Sequence, residues 1–451
     1  MNTSHLEKIH YINIEIPDSP TGAINTSVDD INNLFSYLSN TNQKKLTIHF
    51  HGGLVSEENG VTTACHIRNT FSEISHPLTF IWETGFKETL LKNLEEITET
   101  KLFQKILEVL SIKLIELISP SAKPMKGKIE EQLDDISERE ARKLVNVSQD
   151  VENIAEDIDH EIRSDQEIDN LINKDPKREK KLKNIKQEFT GEHVSLAPVS
   201  SLAFGLAKIT VAVIQRYIKK SDHGLRATTI EEILRELYLA DFGEWTWSNM
   251  KKAAENMWQE GKHGHRFLQG LVNFDKKITI DIIGHSAGSI AICHMLKKIV
   301  QENLNISIRN VFFLAPACTN DLFCELIDHE GVYENFRMFT MSDKYECLDG
   351  LPSQQTRIYP RSLLYFISGI LEDEVGKPIA GLHRHIKKDA APCEVDHLDE
   401  IDRFLNEERL TFSVTGGNEY EGKRCSATTH GGFHLDPQTK QSLQFLISKE
   451  S

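Results

Sequence analysis

Residues 278–300 read ITIDIIGHSAGSIAICHMLKKIV, and this stretch decides the fold. An apolar run, Ile278 to Ile283, has the length and β-branched content of a buried strand, and Ile290 to Val300 has the spacing of a helix packed on one face. Between them stand Gly284, His285, Ser286, Ala287 and Gly288, small residues around one serine. A turn this tight between strand and helix forces the serine into a strained conformation with Oγ projecting from the sheet, and glycines on either side let the turn close. The helix that follows aims backbone N–H groups at whatever the serine attacks.

Outward from that turn the chain alternates strand and helix. Tyr11–Ile16, Lys45–Phe50 and Leu78–Trp82 are strand-like, with helical stretches near Ile31–Leu38 and Ala64–Ile74 between them. Ser27 is placed to cap the first of those helices. Val311–Leu314, Phe336–Met341 and Leu410–Val414 are further candidate strands, and Pro437–Ile447 a closing helix. The expectation is an α/β fold with a mostly parallel sheet and helices on both faces.

From about residue 84 to 243 the texture is different. Strand-like runs vanish, and apolar residues from Ile129 to Ile158 recur at three-to-four spacing within a heavily charged background. The predicted organisation is a core from 1–83 and 244–451 interrupted by a helical insertion or cap at 84–243. Seven basic residues, Lys174, Lys177, Arg178, Lys180, Lys181, Lys183 and Lys186, cluster within it and read first as a solvated helix face. Contact with an acidic partner or anionic headgroups is the sharper alternative. Leu202, Leu206, Ile209, Val213 and Tyr217 form an apolar stripe, suited to packing or to lining an acyl-chain pocket. Pro198, Gly205, Lys208 and Arg216 interrupt that region, which is unlike a membrane span.

A hydroxyl needs a base to take its proton and an acid to orient the base. Asp343 follows the strand Phe336–Met341 and is the expected acid, with Glu346 and Asp349 as rivals. His430, in Thr428-Thr429-His430-Gly431-Gly432-Phe433, is the expected base; His434 competes, and His383, His385 and His397 fall where no strand end is evident. For the oxyanion, one N–H is expected from Ala287 and a second from Gly53 or Leu54, in the His51-Gly52-Gly53-Leu54 turn after the second strand.

These residues resemble the α/β-hydrolase superfamily, of the lipase and esterase type with an HG-rich oxyanion loop. The resemblance rests on His51-Gly52-Gly53, on Gly284-His285-Ser286-Ala287-Gly288, and on the order Ser286, Asp343, His430; it covers roughly residues 8–83 and 244–451 and leaves the insertion unmatched. It implies hydrolysis through an acyl-enzyme with no cofactor. The expected substrate is a small-molecule or lipid carboxylic ester, lipid-like if the Leu202–Tyr217 stripe covers an acyl pocket. A weak or inactive hydrolase-fold module, binding a protein partner through the insertion, is the alternative.

The bulk properties agree. The 451 residues carry 52 basic and 68 acidic side chains, a net charge of −16 that disfavours nucleic acid as a partner. Seven cysteines without a CxxC pair suit a reducing compartment, and the polar N-terminus has no apolar leader segment, so the cytoplasm is the expected location. HExxH, P-loop and GxGxxG patterns are lacking, and no metal site is expected at His49 and His51, which have no acidic or thiol companion at ligand spacing.

Overall fold

A computed structural model describes residues 6–14, 25–41, 43–53, 57–82, 86–120, 133, 136–163, 165–190, 199–239, 244–353 and 357–449. Its centre is a seven-stranded sheet formed by β1 (Tyr11–Ile14), β2 (Lys45–Phe50), β3 (His76–Trp82), β4 (Thr279–His285), β5 (Ile308–Leu314), β6 (Tyr333–Met341) and β7 (Leu410–Ser413). The order is β1-β3-β2-β4-β5-β6-β7, and every neighbouring pair is parallel. The sheet is buried on both faces, which is why its strands read as near-continuous apolar runs rather than alternations.

Adjacent in the middle of the sheet, β2 and β4 run in register from Lys45 opposite Thr279 to Phe50 opposite Gly284. Their C-terminal ends therefore deliver two loops to one place, the end of a parallel sheet where α/β proteins build their sites. The helix Val28–Asn40 begins at Ser27 with a full capping box, Asp30 answering the Ser27 backbone, as its sequence predicts.

Among the described residues no strand interrupts the chain between Trp82 and Thr279. The helix Ser201–Ile218 is the spine of this region and packs against Lys101–Ile118, Val151–Ile162, Pro176–Thr190 and Leu225–Ile233. Leu202, Leu206, Ile209, Val213 and Tyr217 are all buried in those contacts. The helix has the length and composition of a membrane span, but most of it is inside the protein, so its apolarity is accounted for by the core it forms. The stripe packs in the insertion's own core, and of its residues Tyr217 also lines a cavity. Most of the basic cluster, Lys174, Lys177, Lys180, Lys181 and Lys183, is exposed as a solvated helix face would be. Arg178 is buried with its guanidinium 4.0 Å over the Tyr238 ring, Lys181 pairs with Glu236 at 3.5 Å, Lys183 with Glu179, and Lys186 Nζ donates to the Val199 carbonyl at 2.6 Å.

Candidate active site

Ser286 sits at the end of β4 with φ +52, in the left-handed region that a serine rarely adopts. Several hydrogen bonds hold it there. Its N–H donates to the Leu314 carbonyl at the end of β5 (2.9 Å), and its own carbonyl accepts from Ala317 N (3.1 Å), Ser289 N (3.0 Å) and Ser289 Oγ (2.7 Å). The Ser289 hydroxyl accepts in turn from Cys318 N at 3.2 Å, tying the turn to the loop after β5. Sequence reasoning missed Ser289 in this positioning role, although a serine three residues past the nucleophile on the following helix was there to be noticed. Gly288 is required by close approach: a side chain on it would run into the Phe50 carbonyl of β2.

The structure brings His430 to Ser286. His430 lies in a short turn, His430–Gly432, before the last helix, Pro437–Ser448, and its Nε2 is 2.8 Å from Ser286 Oγ. The turn is fixed from below by His285, whose Nε2 is 2.9 Å from the His430 carbonyl. His434 packs on His285 with ring centroids 5.4 Å apart, while the serine's bond goes to His430. Ser286 and His430 are only 2% and 4% exposed, so bulk water is kept from the pair.

The expected acid, Asp343, is engaged elsewhere. Asp343 opens the turn Asp343–Glu346 just after β6, but its carboxylate is hydrogen-bonded by the Tyr365 hydroxyl, with the Cys347 thiol at 3.9 Å. None of its hydrogen bonds reaches His430 among the described residues. Asp349, six residues on, reaches the histidine through the backbone: its Oδ2 accepts the backbone N–H of His430 at 2.7 Å. The reason is geometric. The chain makes a helical turn straight after β6 and turns Asp343 toward the insertion, and the loop that follows returns to the histidine. Glu346 is fully buried on Ser362, and burial pushes its carboxyl well above the ordinary carboxylate range. His383 packs tilted against Phe412, His385 is buried accepting from Ile379 N, and His397 lies at the surface beside Asp321.

For the oxyanion, Ala287 stands at the first turn of the helix Gly288–Gln301, where N–H groups lack intrahelical acceptors. Gly53 packs against it: a side chain there would collide with the Met250 sulfur and come within 2.7 Å of Ala287 Cβ. Leu54 lies outside the described residues. His51 does not face the serine. Its ring is stacked on Trp82 at 4.5 Å, accepts from Trp82 N at 3.2 Å, and burial lowers its pKa to about 4. It is a neutral brace for the glycine turn, with Nδ1 2.7 Å from the Gly52 carbonyl.

Metal-ligating side chains converge elsewhere. Cys324, His397 and Glu400 bring one donor atom each within 4.8 Å of one another, on the helices Asn320–Asp328 and Leu398–Phe404 and the residue preceding the latter. Burial and neighbouring carboxylates push the Cys324 thiol up to about 12, against the thiolate a metal needs.

A parallel sheet in this order, with a strained serine between a central strand and its helix, defines an α/β hydrolase by fold. In agreement, residues 251–346 match the family described as Alpha/beta hydrolase of unknown function (DUF900). The matched segment contains Ser286 and Asp343 and ends before Asp349 and His430. No curated protein and no solved structure matches the chain.

Proposed function

We propose that the protein is a serine hydrolase that cleaves carboxylic esters, with Ser286 as nucleophile, His430 as general base and acid, and Asp349 as the acid that orients His430. The observation that carries this is His430 Nε2 at 2.8 Å from the Oγ of a serine held at φ +52. Ser286 Oγ attacks the acyl carbon as its proton passes to His430 Nε2; the charge developing on the carbonyl oxygen is met by Ala287 N–H and a donor from the Gly53 turn. Collapse expels the alcohol, which takes the proton from His430. Water activated by the same imidazole then releases the acid and restores Ser286.

Esters are favoured over amides because their better leaving group asks less of the site. The stripe that pointed to lipid acyl chains is consumed by the insertion's own core, so the proposal names no chain length. A panel of p-nitrophenyl esters from acetate to palmitate, with the matching anilides, tests it. Ester hydrolysis that disappears in Ser286→Ala supports the reading, and a residual rate equal to wild type in that variant refutes it.

A further inference from the structure

The loop that diverts Asp343 from the histidine delivers it instead to the wall of a cavity of about 680 Å³, bounded by the insertion on one side and the core on the other. Its charged lining is unusual for so acidic a chain: Arg226, Arg357, Arg361 and Arg384 against Asp222 and Asp343. Both acids are engaged, Asp222 with Arg142 at 3.4 Å and Asp343 with the Tyr365 hydroxyl. His223, also on the wall, is kept neutral, burial lowering its pKa to about 4 against the pull of Glu231. The lining thus carries four cationic side chains and two acidic ones.

Three of the guanidinium groups make no salt bridge to a carboxylate among the described residues, although Asp343 acts on Arg361 and Arg384, and Asp222 on Arg384, at longer range. Arg384 Nη1 donates to the Asp222 carbonyl (2.9 Å), Arg361 Nη1 to the Pro360 carbonyl (2.8 Å) and Arg357 Nη2 to the Cys347 carbonyl (2.9 Å). Each guanidinium has five N–H donors, so backbone bonds of this kind anchor the group and leave donors over; Arg357 Nε is buried with no acceptor among the described residues. Buried cations are costly unless anions join them, and this lining holds more cations than acids.

Backbone adds to this field. The helix Leu225–Ile233 starts at Gly224 with φ +90 and no side-chain cap, and its first turn, Leu225 to Ala227, lines the cavity. A side chain at Gly224 would collide with the Arg361 guanidinium, so the positive end of the helix and Arg361 are stacked on one spot. The wall also has an apolar and aromatic part, with Leu133, Ile136 and Tyr217. The volume lies in the range of small-molecule sites.

We propose that this cavity binds a small organic molecule through a phosphate group, which sits among Arg357, Arg361, Arg384 and the first turn of the helix Leu225–Ile233. Phosphate supplies the two negative charges and the several acceptor oxygens that forked guanidinium donors match. The apolar wall takes the organic remainder. Ser286 and His430 are not part of the lining, so occupancy does not depend on the hydrolytic reading. The loop is shared, however: Arg357 and Arg361 flank Tyr359, whose backbone pairs both ways with Leu351, two residues past Asp349.

Arginine footprinting of the full chain with phenylglyoxal, read by peptide mass, tests this with inorganic pyrophosphate as the probe at constant ionic strength. Pyrophosphate is expected to slow modification of Arg361 and Arg384 at least tenfold while Arg163, exposed on the insertion, reacts unchanged. Equal rates with pyrophosphate and with chloride, or equal slowing at Arg163, would overturn the proposal. Calorimetric titration gives a second readout: Arg361→Gln should weaken pyrophosphate binding at least tenfold and the exposed Lys92→Gln leave it unchanged, whereas undiminished affinity in Arg361→Gln counts against the site.

Discussion

Replacing Asp349 by asparagine keeps the size of the side chain and removes its charge. In the structure the carboxylate accepts the His430 backbone N–H at 2.7 Å, a bond to a charged acceptor of a kind that contributes about 1.5–3 kcal/mol. In the proposed mechanism it also supplies the negative charge that answers the imidazolium formed as Ser286 attacks. Two unit charges about 4 Å apart at an effective dielectric of 20 interact by about 4 kcal/mol. An asparagine still offers an oxygen to the N–H, so the charge dominates the loss, and about 4–5 kcal/mol corresponds to a fall in kcat of roughly 10³ to 10⁴. Asp343→Asn is the internal comparison. Its oxygen still accepts from Tyr365, and kcat should stay within about threefold of wild type on the same scale. The assay is kcat and KM on the best p-nitrophenyl ester, with the melting temperature recorded for each variant. A large loss in Asp343→Asn together with a near-normal Asp349→Asn would refute the assignment.

Three further outcomes follow from the same geometry. Gly53→Ala pushes the turn away from Ala287 and Met250 and should lower kcat by roughly 100-fold, the scale of one oxyanion donor, with partial recovery on adding Met250→Ala; an unchanged kcat would remove the turn from the oxyanion site. Glu231 is fully buried between Arg216 (2.8 Å), His223 (2.8 Å) and the Tyr359 hydroxyl, and Glu231→Gln leaves Arg216 with Glu232 alone, so urea denaturation should show a loss of about 3 kcal/mol; a loss below about 0.5 kcal/mol would contradict a buried network. Burial lowers His51, His76 and His223 to about 4, below the unfolded value near 6.5, so the unfolded chain binds more protons between those limits. Stability should be complete above pH 6.5 and fall as pH drops toward 4, by about 1.4 kcal/mol per histidine at pH 5.5, read as a lower urea midpoint than at pH 7.5. Equal midpoints would mean that these rings are not held neutral.

The sheet was legible because its signals are local. Most strands are apolar runs ended by glycine or a polar turn, and Gly284 to Gly288, set between such a run and a helical stretch, reads as a strand-to-helix turn. Strand boundaries moved by up to three residues, as at β5 and β6, where the polar Arg309, Asn310 and Asn335 hide strand ends whose hydrogen bonds belong to neighbouring strands. His430 was found because chain order and paired glycines single it out. The acid is not singled out in this way, because three carboxylates within seven residues share the same credentials. What separates Asp343, Glu346 and Asp349 is the path of the loop: Tyr365 captures the first, Ser362 the second, and only the third returns to His430. The Leu202–Tyr217 stripe shows the converse limit, since periodicity reveals that a face is covered and says nothing of what covers it. The arginine cavity had no sequence signal at all. Arg226, Arg357, Arg361 and Arg384 are spread over more than 150 residues and meet only because the insertion folds back on the acid loop.

The central claim is that Ser286 is a nucleophile activated by His430. Reaction of the native protein with a fluorophosphonate, followed by peptide mass, tests it most directly. The account predicts one adduct, on Ser286, absent in Ser286→Ala and formed at least 100-fold more slowly in His430→Ala. An adduct on another residue, or a labelling rate untouched by loss of His430, would contradict it.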